Sequence, residues 1–88
     1  MSAGVEARIV AVWRELFDDP GLVVASHDNF FTLGASSLLA LRLAERLSAE
    51  FGVTVDLLVL IEDATPAALA RYVEETLAAQ SSLEAGEL

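Results

Sequence analysis

The chain of 88 residues contains no cysteine, no lysine and only one histidine. Without cysteine there are no disulfides, thiolate nucleophiles or thiolate metal sites. With a single histidine the common zinc sites are excluded as well. The sequence has no run of about 18 or more apolar residues, and its N-terminus lacks the basic and apolar regions of a signal peptide. We therefore expect no membrane span and a cytoplasmic location.

Basic residues are also scarce: five arginines stand against 14 acidic residues, and the net charge is −9. Nucleic-acid binding depends on a basic patch that displaces counterions from phosphates. No such patch is present, so the sequence excludes nucleic acid as a partner. A length of 88 residues indicates one domain, covering residues 1–88.

Near the N-terminus, apolar residues recur at helical spacing, and Trp13 widens the stripe that they form. The stripe consists of Val5, Ile9, Val12 and Leu16. It ends at "DDPG", residues 18–21, where Pro and Gly interrupt the pattern. The following "GLVVA" has no second strand with which to pair, so we interpret residues 21–34 as a long loop. Its apolar content predicts that Phe30 or Phe31 anchors the loop on the helices.

A second helix is predicted from about Ser36 to Phe51, with Gly52 as its C-cap. Its inner stripe repeats every four residues and comprises Leu39, Leu43, Leu47 and Phe51. Before this helix, Asp28 and Asn29 have short polar side chains suited to a local turn.

Two further helices complete the chain. "DLLVLIED" predicts a short third helix with Asp56 as its N-cap, and "TPAALARYV" predicts a fourth that starts with Thr65 as N-cap and Pro66 as first residue. The predicted buried face of the fourth helix is Leu69, Tyr72, Val73, Thr76 and Leu77. The apolar period is lost over residues 81–88, so a frayed tail is expected there.

Two adjacent serines at the start of the second helix raise the question of nucleophilic catalysis. Such catalysis needs a base within hydrogen-bond reach and a group that orients the base. His27 lies ten residues before Ser37 with no evident third group, and the G-x-S-x-G signature fails because its second glycine is missing. We therefore predict no catalytic residue and no metal site, and interpret His27 as a loop residue without chemical role. Ser36 or Ser37 can cap the helix, and a helix N-terminus also favours a bound phosphate.

The stretch "DNFFTLGASSLLALRLAERL", residues 28–47, resembles the core motif of carrier proteins, most closely the peptidyl carrier (thiolation) domains of nonribosomal peptide synthetases. Those domains typically read D-x-F-F-x-L-G-G-x-S-L-x-A, and the matching residues are Asp28, Phe30, Phe31, Leu33, Gly34, Ser37, Leu38 and Ala40. The similarity continues through "LIEDATPAALARYV", where Leu60, Thr65, Leu69 and Ala70 match. The sequence departs from the family pattern at Ala35, Ser36, Ile61, Ala64 and Pro66.

This resemblance implies an all-α four-helix bundle with a long loop between helices one and two and a short third helix. It also implies that a phosphopantetheinyl transferase attaches the phosphopantetheine arm of coenzyme A to Ser37. The arm then holds an aminoacyl, peptidyl or acyl group as a thioester. The carrier is a non-catalytic monomer that delivers this cargo to adenylation, condensation, tailoring or thioesterase enzymes.

Two alternatives remain open. One is an acyl carrier protein of a polyketide or fatty-acid pathway, although such carriers usually have Asp before the modified serine, where this chain has Ser36. The other is an unmodified helical interaction module with the carrier fold. The start at Met1 and the polar tail favour a discrete protein over a domain cut from a synthetase, and both remain possible.

The second and third helices also suggest a docking surface. Leu38 and Leu41 lie off the inner stripe of the second helix and should face outward beside Ser37. On the third helix, the resemblance places Leu57 and Leu60 inward, which leaves Leu58 and Val59 outward. We expect Leu38, Leu41, Leu58 and Val59 to form an apolar patch that docks partner enzymes, with Arg42 adding a charge at its rim.

Overall fold

The computed structural model describes the backbone of residues 2–86 and the side chains of residues 4–80. Its elements are α1 (Ser2–Leu16), α2 (Ser37–Phe51), α3 (Leu57–Glu62) and α4 (Pro66–Gly86). Within residues 2–86 there is no strand. α1 packs against both α2 and α4, and α3 packs against α2. The predicted all-α four-helix bundle is confirmed, with the long loop between α1 and α2 and the short helix in third place.

The core forms where the apolar stripes of the helices meet. Leu43 and Leu47 of α2 are fully buried, whereas the outer members of the predicted stripe, Leu39 and Phe51, are only partly buried. A strict four-residue repeat drifts by about 40° at each step around a helix of 3.6 residues per turn, so the ends of such a stripe rotate towards the edge. The space is filled by alanines that the pattern missed. The buried alanines are Ala40 and Ala44 of α2 with Ala64 and Ala70 near the start of α4.

The predicted helix boundaries are confirmed by their capping groups. The Asp56 carboxylate accepts a hydrogen bond from the Val59 N–H at 3.3 Å. The Thr65 hydroxyl accepts from the Ala68 N–H at 3.2 Å, directly before Pro66 opens α4. Gly52 ends α2 in the left-handed region with φ 68°, where a residue without Cβ has no steric penalty.

One expectation for α4 is corrected and another stays open. The helical backbone of α4 continues to Gly86, and fraying of residues 81–88 stays a prediction. The remaining tail, residues 87–88, lies outside the described residues. Leu77, predicted on the buried face, is 37% exposed, since the 21 residues of α4 extend beyond the 15-residue α1 against which it packs.

The long loop is anchored by one aromatic side chain. Phe30 is fully buried, with its ring centroid 4.9 Å from that of Trp13 and 5.1 Å from that of Phe17. Phe31 is only partly buried, because adjacent residues of this loop point in different directions. Two backbone hydrogen bonds fix the same loop to the start of α4: the Phe30 N–H donates to the Ala64 carbonyl at 2.9 Å, and the Ala67 N–H donates to the Ser26 carbonyl at 3.0 Å. The predicted anchoring is therefore confirmed, with Phe30 as the anchor.

We predict that Phe30→Ala lowers the free energy of unfolding by about 3–5 kcal/mol, because it empties a closed aromatic site. Phe31→Ala is the matched control and should cost clearly less, since part of that ring already contacts water. Urea unfolding followed by circular dichroism measures both. An equal loss for the two variants would contradict the assignment of Phe30 as the anchor.

Candidate functional site

The two serines at the start of α2 have different structural roles. Ser36 is the N-cap: its backbone is extended (φ −87°, ψ 170°), and its hydroxyl accepts a hydrogen bond from the Leu39 N–H at 3.2 Å. Ser37 is the first residue of the helix and is exposed. Within residues 4–80 its hydroxyl makes no hydrogen bond. The Ser36 hydroxyl is therefore used by the fold, and the Ser37 hydroxyl is available for chemistry.

The turn that leads into α2 is held by Asn29. The Asn29 side-chain oxygen accepts from the N–H groups of Phe31 at 2.9 Å and Thr32 at 3.3 Å. The Asn29 carbonyl accepts from the Leu33 N–H at 3.1 Å. A side-chain bond from Asp28 to the Ala25 N–H precedes this turn, so the local turn predicted for Asp28 and Asn29 is confirmed.

Gly34 makes the last change of direction before the serines. Its φ is 108°, in the region that side chains with Cβ rarely adopt, although a Cβ built there would meet no atom within 4 Å. The requirement for glycine is therefore conformational and not one of space. Ala35 and Ser36 follow in extended or irregular backbone, so the substitution of Ala35 for the second glycine of the family motif fits the structure.

The surroundings of Ser37 favour a negative group. The first turn of α2 contains no acidic residue, and the first N–H groups of a helix have no partner within the helix. Together with the helix dipole they stabilise an anion at this end. A phosphodiester on the Ser37 oxygen therefore fits the residues that are present.

His27 and Ser37 do not form a nucleophile–base pair in the described part of the chain. His27 is exposed in the loop, and no hydrogen bond joins it to Ser37 in the described part of the chain. Across the side chains of residues 4–80, no group of three or more histidines or carboxylates is placed to hold a metal ion. Among the described residues, Ser37 therefore has neither a hydrogen-bonded base nor a metal site beside it.

Three of the four predicted docking side chains are exposed on α2 and α3. Leu38 is 63% exposed, Leu41 45% and Leu58 67%. Val59 is the exception and corrects the prediction: it is partly buried, packs against the core and lines a groove with Ala68 and Tyr72 of α4. A six-residue helix has fewer than two turns, so its sequence pattern alone cannot show which side is buried. Packing against α4 determines that Val59 is partly buried.

Ile61 is the exposed residue that the sequence analysis missed on α3. It is 60% exposed and lies three residues after Leu58, so the two share one side of the helix. Its position is the one where the family often has Phe, and a large apolar residue retained on an exposed side was the available signal. Leu57 and Leu60 face inward as predicted, with Leu60 fully buried.

Side-chain bonds fix α3 relative to α2. The Ser48 hydroxyl accepts from the Val55 N–H at 3.0 Å and donates to the Ala44 carbonyl at 2.8 Å. The Tyr72 hydroxyl of α4 donates to the Thr54 carbonyl at 2.7 Å. The connection between the two helices is therefore held from both sides, which keeps the exposed faces of α2 and α3 in one arrangement.

Comparison with known proteins identifies this class of site. The sequence model described as "Phosphopantetheine attachment site" matches residues 7–73. The chain is 38% identical over 71 residues to tyrocidine synthase 3 of Brevibacillus parabrevis, covering 81% of this chain and 1% of that protein. It is 39% identical over 69 residues to phosphinothricin tripeptide synthetase of Streptomyces viridochromogenes, covering 78% and 6%. No solved structure matches the chain significantly.

The bundle with an exposed serine at the start of its second helix is thus that of a carrier domain. The chain belongs to the phosphopantetheine attachment family, whose members carry that group covalently. The resemblance to peptidyl carrier domains of nonribosomal peptide synthetases is confirmed. The chain spans only a few per cent of the length of these relatives. Separately, no helix in the described part of the chain is long and apolar enough to cross a membrane.

We predict that Ser36→Ala lowers the free energy of unfolding by about 1 kcal/mol, because the N–H of Leu39 loses its capping acceptor. Ser37→Ala is the control, with the same atoms removed one residue later. It should stay within about 0.5 kcal/mol of the parent, as is usual for an exposed side chain without partners. Urea unfolding of the unmodified protein measures both, and a larger loss for Ser37→Ala would refute the assignment of the cap.

Proposed function

We propose that Ser37 is the residue to which phosphopantetheine is attached. The observation that supports this most directly is the exposed and unbonded hydroxyl of Ser37 next to a serine already used as the helix cap. In the transfer, a bond forms between the Ser37 oxygen and the phosphorus next to the pantetheine of coenzyme A. The pyrophosphate bond of coenzyme A breaks, adenosine bisphosphate leaves, and the hydroxyl proton passes to a base of the transferase.

The role of the chain is then to hold and present this group. Ser37 fixes the phosphodiester at the positive end of α2, and the rigid turn before it sets the direction in which the group leaves the bundle. When bound, the group supplies a thiol that forms a thioester with an aminoacyl, peptidyl or acyl cargo. The chain itself contributes no catalytic residue and acts as a carrier in the cytoplasm. Because the relatives named above are peptide synthetases, we place its cargo in nonribosomal peptide synthesis.

We predict that Ser37→Ala abolishes loading by a phosphopantetheinyl transferase and coenzyme A, because the accepting oxygen is absent. Ser36→Ala should still be loaded, since its hydroxyl only caps the helix. Intact mass detects the added group, and peptide mass spectrometry maps it. An adduct on Ser36 would overturn this assignment, and a parent protein that no transferase modifies would favour the unmodified interaction module.

The enzymes that act on the arm dock beside Ser37 in this proposal. Leu38, Leu41 and Leu58 are exposed on two helices that pack together, and monomeric proteins seldom expose a contiguous apolar patch without a use. Val59 contributes from the groove at the edge, and Arg42 adds a charge. The partners are the transferase, an adenylation enzyme or domain, and condensation, tailoring or thioesterase enzymes.

We predict that Leu41→Glu leaves the fold intact and lowers the rate at which partner enzymes act on the chain, because a charge then has to be desolvated at the contact. Leu77→Glu on α4 is the matched control, with the same change at an exposed leucine outside α2 and α3. Circular dichroism checks folding, and initial rates of loading and of aminoacylation measure docking. Equal rates for the parent and Leu41→Glu would show that this surface is not the docking site.

A further inference from the structure

The exposed faces of α2 and α3 repeat one pattern with opposite charge. Residues 38–42 read "LLALR" and residues 58–62 read "LVLIE". In each, the first and fourth residues are large, apolar and exposed, and the fifth is charged and exposed. Residues three and four apart share a face of a helix. Each helix therefore presents two apolar side chains with one charge beside them, Arg42 on α2 and Glu62 on α3.

Neither charge is paired among residues 4–80. In the described part of the chain, the ion pairs are Arg8–Glu50 and Arg46–Glu15, and both join α1 to α2. Arg42 and Glu62 take part in no ion pair or side-chain hydrogen bond among residues 4–80. Arg71 lines the same groove as Glu62 but is not within ion-pair distance of it.

The other two carboxylates at α3 have local roles. Asp56 caps the helix by accepting from the Val59 N–H. Asp63 accepts a hydrogen bond from the Thr65 hydroxyl at 3.3 Å. Glu62 is thus the carboxylate of α3 that is left for a partner, as Arg42 is the cation in the first two turns of α2.

One partner has to cover this face. A phosphopantetheinyl transferase acts on the Ser37 oxygen itself, so its contact surface surrounds that residue. A specific interface buries about 800 Å² on each side, and Arg42 lies five residues from Ser37, about 7.5 Å along the helix axis. α3 packs directly on α2, so an interface of this size around Ser37 can extend onto α3.

We infer that Arg42 and Glu62 orient the transferase on the apolar face, with a carboxylate of the transferase against Arg42 and a basic side chain against Glu62. This inference rests on the proposed modification of Ser37. Charges at the edge of an interface contribute mainly to the encounter rate and to the choice of orientation. Opposite charges on the two helices favour one orientation of the transferase on the carrier and disfavour the reversed one. An apolar face alone does not distinguish the two orientations.

The test compares Arg42→Glu and Glu62→Arg in loading by a phosphopantetheinyl transferase of a nonribosomal peptide pathway with coenzyme A. The first variant makes the net charge of −9 more negative by two units and the second makes it less negative by two. General attraction between the proteins would therefore slow one variant and speed the other. If the transferase instead contacts both Arg42 and Glu62, loading of both variants should be slower than that of the parent. We expect kcat/KM to fall about three- to tenfold for each variant, through KM, at low salt.

Two controls complete the experiment. Glu74→Arg on α4, in the groove against α1, carries the same charge change as Glu62→Arg and should keep the parent kcat/KM. At about 1 M salt, where the screening length is about 3 Å, the differences between variants should largely disappear. Circular dichroism checks that the three substitutions leave the fold unchanged.

The outcomes separate this inference from the proposed function. If either charge reversal matches the parent, or if the two change kcat/KM in opposite directions, the inference is overturned. If the charge inference is overturned but Leu41→Glu is still loaded slowly, the apolar docking surface remains supported and only the role of the two charges is lost. If the parent chain is never loaded on Ser37, the proposed function itself fails.

Discussion

The position of Phe30 is the constraint on which the rest of the structure depends. Its ring fills the space between Trp13 and Phe17, and its backbone N–H is bonded to Ala64 at the start of α4. One residue thus joins α1, the long loop and the α3–α4 connection. Without this anchor the turn at Asn29 and Gly34 would have no fixed base, and the orientation of α2 at its first residue would be lost.

The different structural roles of Ser36 and Ser37 follow from that anchored turn. Once the loop enters α2 in an extended conformation at Ser36, this residue is placed to cap the helix, and Ser37 must lie on the outside of the first turn. A hydroxyl that caps a helix is held against the backbone and is poorly placed to react. The fold therefore leaves one serine free by occupying the other.

The local signals in the sequence were sufficient for most of the fold. Caps such as Asp56 and Thr65 depend on chemistry within a few residues, so they were predictable. An aromatic anchor in the loop was predictable from its hydrophobicity, but the choice of Phe30 over Phe31 came from the structure. The faces of α3 were not, because Val59 and Ile61 are equally apolar and only the position of α4 makes one partly buried and the other exposed.

The cation in the first two turns of α2 is Arg42, and the chain has neither lysine nor cysteine. This has a consequence for the stability of the cargo. A thioester is an acylating agent, and the side chains that most readily intercept it are a neutral amine and a thiolate. A guanidinium stays protonated in proteins and does not act as an acyl acceptor. A thioester on the arm proposed for Ser37 would therefore meet no side-chain amine or thiol among these 88 residues, and self-acylation by those groups would not compete with transfer to the next enzyme.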